Sequence, residues 1–301
     1  MRIRGVFSLL AGFLTLVSCR AEVDGRVYYN EIEAWRSARI ARLTSESGWT
    51  TLVGLHWLQP GVNQVGSATT NTMVVTASAP AHLGTITVDG SGITLQPDPA
   101  AQLSIDGKPV IAPVRLLADS DEGGPTIFRT GTLSYQVIKR SDRFGIRIKD
   151  SESEARKHFP GIEHYPVNPR WIVDARFDRF PEPRKIAIPN VLGTTTMEAA
   201  PGVLRFKFDG KAYELTPILE QGETDFFIIF RDLTSGHATY PAGRFLYAKP
   251  PGPDGIVRID FNRSYNPPCA FTPFATCPLP PLQNRLPFAV EGGEKDFGEH
   301  G

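Results

Sequence analysis

Apolar and polar residues alternate with a period of two along most of this chain, and one segment near its start departs from that rhythm. From Val27 to about Ser47, Ile32, Trp35, Arg39 and Leu43 fall at helical spacing, with the apolar members on one face. That spacing predicts a helix. Asn30 followed by Glu33 has the form of a capping box, and Gly48 that of a terminator. Arg36, Arg39 and Arg42 read as a solvated or sheet-covering face, with ligand binding by one of them as the second reading.

Beyond the helix the pattern predicts strands. Thr85-Ile86-Thr87-Val88 and Ile93-Thr94-Leu95 flank the turn Asp89-Gly90-Ser91-Gly92. Leu103 to Ile105 leads into Asp106-Gly107, and Leu204 to Phe208 into Asp209-Gly210. Asp-Gly between alternating runs signals a hairpin, because glycine accepts a positive φ. Further runs follow at Thr132 to Lys139, Phe144 to Lys149, Trp171 to Phe177, Tyr213 to Leu219, Phe226 to Phe230, Arg244 to Ala248 and Val257 to Phe261. A spacing of about ten residues favours sandwiches or barrels over βαβ units. Ser151 to Pro169 is polar and carries prolines, which marks a boundary. The expected fold class is mainly β (α+β). Its parts are a leader over 1–18, a helical segment over 19–48, a β-sandwich over 49–150 and a connector over 151–169. An antiparallel β unit of some eight strands over 170–295 and a short tail over 296–301 complete it.

Asp260 to Lys295 breaks the alternation with prolines, and is predicted to close that second unit. Proline removes backbone donors and fixes φ, so the stretch is neither helix nor central strand. Its Phe, Leu, Val and Tyr content is too high for a solvated linker. It therefore reads as an ordered loop held against the β body.

Composition narrows the function classes. With 41% hydrophobic and 21% charged residues the chain is an ordinary globular one, and a formal net charge of zero leaves no basic excess to recruit nucleic acid. The N-terminus has the marks of an export signal: Arg2 and Arg4, then an apolar run from Gly5 to Ser18 that is short for a membrane span. It ends in Leu16-Val17-Ser18-Cys19, which resembles a bacterial lipobox. The resemblance implies cleavage before Cys19, a lipid on its sulfur, and a body facing the periplasm on the cell envelope. Arg20 is not the aspartate that retains many such proteins in the inner membrane, which leaves outer-membrane sorting open. In an exported chain Cys269 and Cys277 read as a disulfide, with two buried thiols as the alternative. Their spacing, with no histidine nearby, does not suit zinc, and no metal or cofactor is expected.

Familiar catalytic signatures are missing: there is no G-x-S-x-G, H-E-x-x-H or G-x-G-x-x-G. Gly61-x4-Gly66-Ser67 lacks the lysine of a phosphate loop. Asp119, Asp121 and Gly124 open like a calcium loop, but the twelfth position is Thr130. The order from Gly61 to Asp119 resembles a forkhead-associated-type β-sandwich. Of that family's phosphothreonine site only Gly66 and His82 match; Ser67 and Ala79 replace its arginine and serine. The resemblance thus implies a fold rather than phosphopeptide binding.

The remaining motifs lie in the second half: Phe230-Arg231-Asp232-Leu233-Thr234-Ser235-Gly236, then Thr239-Tyr240-Pro241-Ala242-Gly243-Arg244. Asp260-Phe261-Asn262, Tyr265-Asn266-Pro267-Pro268-Cys269, Cys277-Pro278-Leu279-Pro280-Pro281 and Asn284-Arg285-Leu286 continue them. With Gly48-Trp49, Gly54-Leu55 and Trp57-Leu58, these residues resemble the uncharacterised "domain of unknown function" family 1684. Gly292 departs from the alanine expected there. The family implies no activity, so the candidate chemistry rests on the residues. Asp260, Glu294 and His56 are the candidate acid–base groups of a hydrolase, with Arg244 orienting an anion. Asp232, Tyr240, Arg244, Asn262, Asn266 and Cys269 are the candidate ligand-binding groups. Against both stands the reading that buried Asn, Asp and Arg lock loops by bonding backbone. The expectation is an envelope lipoprotein that binds a small molecule or an envelope protein, with hydrolysis as the alternative.

Overall fold

The structure is a computed structural model, and it describes residues 25–220 and 222–298. The leader and Cys19 lie outside the described residues.

Helix α1 spans Gly25–Leu43 and buries Tyr28, Ile32, Arg39 and Leu43 along one stripe. It begins earlier than expected, so Asn30 and Glu33 lie within the helix and form no capping box. It also ends earlier, at Leu43, whose carbonyl accepts the Thr50 hydroxyl at 2.7 Å. Gly48 is required by closeness rather than by φ: a Cβ there would sit 2.0 Å from the Leu43 carbonyl oxygen. The stripe docks on the second half of the chain, where Tyr28 and Ile32 pack with Ile172.

Two antiparallel-rich sheets form the first core. One has six strands in the order Leu52–Trp57, Arg143–Asp150, Leu133–Arg140, Ile127–Thr130, Ser104–Ile105 and Lys108–Pro109. The other has five, in the order Met73–Val74, Gly61–Gly66, Gly84–Asp89, Gly92–Pro97 and Val114–Leu116. Val65, Leu83, Ile86, Leu95, Phe128 and Ile148 are among the residues that fill the space between them. Both Asp-Gly turns have a positive φ at each residue: 49° and 75° at Asp106-Gly107, 48° and 75° at Asp209-Gly210. That twist suits two-residue hairpins. The would-be calcium loop is a turn, with Asp121 accepting the Ala118 amide at 2.8 Å and Asp119 paired to Arg140.

The connector is stitched down rather than free. Short helix α2, Glu154–Lys157, lies in it. The Ser153 hydroxyl donates to the Thr50 carbonyl, and the Tyr165 amide to the Gly293 carbonyl.

Six strands, not some eight, make the second unit among the described residues. Four form a sheet in the order Lys211–Leu215, Thr195–Phe208, Ile172–Pro189 and Ile256–Asp260. Phe226–Phe230 pairs with Arg244–Ala248 beside it. The run expected to stop at Phe177 continues to Pro189, with its register shifted between Arg179 and Arg184. Pro181 and Pro183 sit in that gap, where the missing donors hid the strand's continuation. Trp171, Phe206, Ile228, Phe230, Ile259 and Phe261 belong to the main core of this unit.

The proline-rich stretch is an ordered closing loop, as its composition predicts. It is built from three short turns of 3-10 helix, Phe261–Arg263, Pro268–Ala270 and Leu282–Asn284. Buried Asn284 fastens it, donating to the carbonyls of Thr216 and Ile229, both at 2.9 Å, and accepting the Thr216 amide at 2.7 Å. Asp260 and Asn262 do not alternate on a strand, since the strand ends at Asp260.

Candidate functional site

Most of the residues singled out in the sequence hold the closing loop in place. Arg244 is fully buried at the start of its strand. Its guanidinium donates to the carbonyls of Gly292, Val290 and Glu294 at 2.5, 2.8 and 3.2 Å, and reaches Asp232 at 3.5 Å. Burial pulls its pKa down, and the Asp232 carboxylate opposes that. Asp232 in turn accepts the Val290 amide at 2.6 Å and the Thr234 hydroxyl at 2.8 Å. This pair ties the 231–243 loop to the chain end.

Asp260 accepts the Tyr28 hydroxyl at 2.7 Å and the Asn262 amide at 3.1 Å. Burial, then the neighbouring Asp260 carboxylate, raise the pKa of Tyr28. Asn262 reaches the connector, accepting the Asn168 amide and donating to its carbonyl, both at 3.0 Å. Glu294 is completely buried and takes both Arg39 of α1 and the Asn266 amide at 2.7 Å. Arg39 is therefore an interior residue, not part of a solvated face. It also donates to the Asn266 carbonyl at 2.8 Å and lies 4.4 Å over the Tyr265 ring.

His56 stands apart from this network, on the edge strand of the six-stranded sheet opposite Ile146. Burial lowers its pKa, so its imidazole is neutral near pH 7. Tyr240 is buried, which pushes its hydroxyl up to about 12. Asp260, Glu294 and His56 thus do not converge on an open pocket. The structure describes Cys269 and Cys277 as free thiols, so the expected bridge is not formed here, but the Cys269 amide donates to Cys277 Sγ at 3.1 Å. Among the described residues no group of three or more His, Cys, Asp or Glu is placed to hold a metal ion.

An open cleft of about 880 Å³ lies where α1, the sandwich and the closing loop meet. Aromatic side chains form much of its wall, including Trp35, Trp49, Phe227, Tyr247 and Tyr265. Four arginines border it, Arg39, Arg42, Arg140 and Arg147, against one acid, Glu220. Three of these cations have other partners or water. Arg39 is held by Glu294, Arg140 by Asp119 at 2.7 Å and the Thr276 hydroxyl at 2.9 Å, and Arg42 is exposed. Glu220 accepts the Tyr247 hydroxyl at 2.6 Å.

Arg147 differs from the other three. It is only 6% exposed, yet among the described residues no carboxylate pairs with it and its Nε has no hydrogen-bond partner. Its guanidinium sits 5.0 Å from the centre of the Trp49 ring. Burial, reinforced by the nearby Arg140 charge, pulls its pKa down to about 10. It still carries a proton at neutral pH, so this is a buried positive charge facing a cavity with its donors unspent.

The sequence did not disclose Arg147 as a site residue. Its signal is a buried arginine between the buried Ile146 and Ile148. A second concavity, of about 1180 Å³, lies over the four-stranded sheet. There the charges neutralise one another across the surface, as with Arg170–Asp209 at 2.6 Å and Arg258–Asp174 at 3.6 Å, so the face is a solvated one.

Fold and cleft together define a mainly β protein of two packed cores, bridged by one helix and closed by a proline-rich loop. Residues 157–295 match the model of the family described as "Protein of unknown function (DUF1684)". The match begins after Gly48-Trp49, Gly54-Leu55 and Trp57-Leu58, so the family covers less of the chain than those residues suggested. A solution structure of an uncharacterised protein from Haloarcula marismortui is 28% identical, covering 48% of this chain and 81% of that one, with a TM-score of 0.41. No curated protein matches. The forkhead-associated resemblance is not borne out by any of these. At its positions the Ser67 hydroxyl donates to the Ala79 carbonyl at 2.8 Å and His82 contacts Asn71 at 3.1 Å, which is turn structure and not an anion clamp.

Proposed function

We propose that this chain is a binding module whose cleft holds a small molecule with an anionic group and an apolar, ring-like body. Buried Arg147, charged and without a carboxylate partner at the edge of an open aromatic-walled cavity, is the observation that carries this. An incoming carboxylate or phosphate would supply the missing counter-charge in a bidentate pair. The aromatic walls would cover the remainder of the ligand. The hydrolase alternative finds less support, because Asp260 and Glu294 spend their oxygens on Tyr28, Asn262, Arg39 and Asn266.

Calorimetry with benzoate, phenyl phosphate and neutral benzamide tests the reading. The two anions bind and benzamide does not, and Arg147→Met weakens anion binding by about 10- to 100-fold, as expected for loss of a charged hydrogen-bonding partner. Equal binding of benzamide, or unchanged affinity in the variant, refutes it.

We further propose that the module works on the cell envelope, anchored by a lipid on Cys19. The basic start, apolar run and lipobox-like end support this. Among the described residues no helix is long and apolar enough to cross a membrane. Cys19→Ala is expected to move the protein from the membrane pellet to the soluble fraction; continued partition into the pellet defeats the idea.

A further inference from the structure

Cys277 lines one corner of the cleft, Cys269 lies next to it, and the two differ in access. Cys277 is 4% exposed and lines the cleft beside Thr276 and Pro278. Cys269 is half-buried and packs against the same small core, with Ile229, Phe245 and Ala275. The backbone around Cys277 is pinned to the long hairpin: its carbonyl accepts the Val191 amide at 3.1 Å, and the Leu279 amide donates to Pro189 at 2.7 Å. Cys269 follows Pro267 and Pro268 on a tight turn that brings its amide to Cys277 Sγ. The two sulfurs are thus brought together by two rigid segments. Arg147, the unpaired guanidinium, is close enough to interact electrostatically with both.

We propose that Cys269 and Cys277 are a reversible dithiol–disulfide pair, in which Cys269 exchanges with a low-molecular-weight disulfide and Cys277 resolves the mixed disulfide. The inference stands on the thiol geometry and does not depend on what the cleft binds. The Cys269 thiolate attacks one sulfur of R–S–S–R, forming Cys269–S–S–R and releasing RS⁻. The Cys277 thiol, losing its proton to solvent, then attacks Cys269 Sγ and expels the second RS⁻. The two protein thiols lose two electrons and two protons, and the small disulfide gains them as two thiols. A small dithiol reverses both steps.

The division of roles follows from surroundings. The hydrogen bond from Cys277 lowers the Cys269 pKa, with help from the Arg147 charge, while burial raises that of Cys277. The accessible thiol with the lower pKa is the one that meets an oxidant first. An inert structural pair would have both sulfurs buried and no cation beside them.

The test uses full-length protein carrying Cys19→Ala, which leaves these two as the only cysteines of the chain. Incubation with excess glutathione disulfide is expected to lower the intact mass by about 2 Da, the loss of two hydrogens, and dithiothreitol to restore it. Adding Cys277→Ser to this form stops the reaction at a glutathione adduct on Cys269. Adding Cys269→Ser instead gives that adduct at least about tenfold more slowly. An unchanged mass with two alkylatable thiols overturns the proposal, and needs no variant at either position. Equal or reversed capture by the two serine variants overturns the assignment of the attacking sulfur.

Discussion

Arg244 and Arg147 are both arginines in β-strands, both almost free of solvent, and they do opposite things. Arg244 is surrounded by three carbonyl oxygens and a carboxylate, and although its Nε has no partner its two terminal nitrogens are taken up, so the site is structural. Arg147 has an aromatic face and an open cavity, so its donors remain available. Residue type alone did not separate them; the neighbours did. His164 shows the same dependence on surroundings. Burial, and then the Arg36 charge, pull its pKa down to about 4, from the 6.5 of a free histidine. It is therefore neutral in the folded chain at pH values where the unfolded chain already binds a proton. Between about 6.5 and 4 the unfolded state holds more protons, so stability must fall as the pH falls through that window. Urea midpoints measured at pH 7 and pH 5 should differ, and His164→Gln should shrink the difference. An equal difference in the variant would place the pH dependence elsewhere.

At the scale of elements, α1 is the piece whose role changed most. Its existence was plain in the spacing of Ile32, Trp35, Arg39 and Leu43. Its start was misplaced, because Asn30 and Glu33 mimic a cap from inside the helix. Its attachment was not legible at all. The helix is bound to the chain end through Arg39 and Glu294, 255 positions apart in sequence. Both charges are out of water, and removing one leaves the other uncompensated, which costs about 3–5 kcal/mol. Glu294→Gln is expected to lower unfolding stability by about that amount in urea titration, with faster amide exchange along α1 than along the sandwich strands. A loss below about 1 kcal/mol would show that the pair behaves like a surface one. The closing loop is a second case. Its order was readable from proline and aromatic content, and Asn284 explains how a chain poor in ladder bonds is fixed: three side-chain bonds replace them.

For the whole molecule, the telling feature is the seam. Trp35 and Arg39 from the helix, Trp49, Arg140 and Arg147 from the sandwich, and Tyr247, Tyr265 and Cys277 from the second unit meet at one cleft. Each comes from a segment with its own local reason to fold. Ile146 and Ile148 build the sandwich core while Arg147, between them, is turned to the opposite face. Of the candidates chosen from the second half, Asp232, Arg244, Asp260, Asn262, Asn266 and Glu294 hold the closing loop, because a strap that closes a domain needs its polar groups for itself.

The sequence by itself determined the mainly β class, the hairpins at Asp106-Gly107 and Asp209-Gly210, the helix after Gly25 and the ordered loop. Each of these follows from residues that are neighbours in the chain, through a fixed φ, a missing donor or a repeating face. Only the tertiary structure decided which charges are spent and which are free. The burial of Arg147, the pairing of Arg39 with Glu294 and the meeting of Cys269 with Cys277 depend on which surfaces close over one another. Desolvation and counter-charge are properties of that closure, and no local pattern records them.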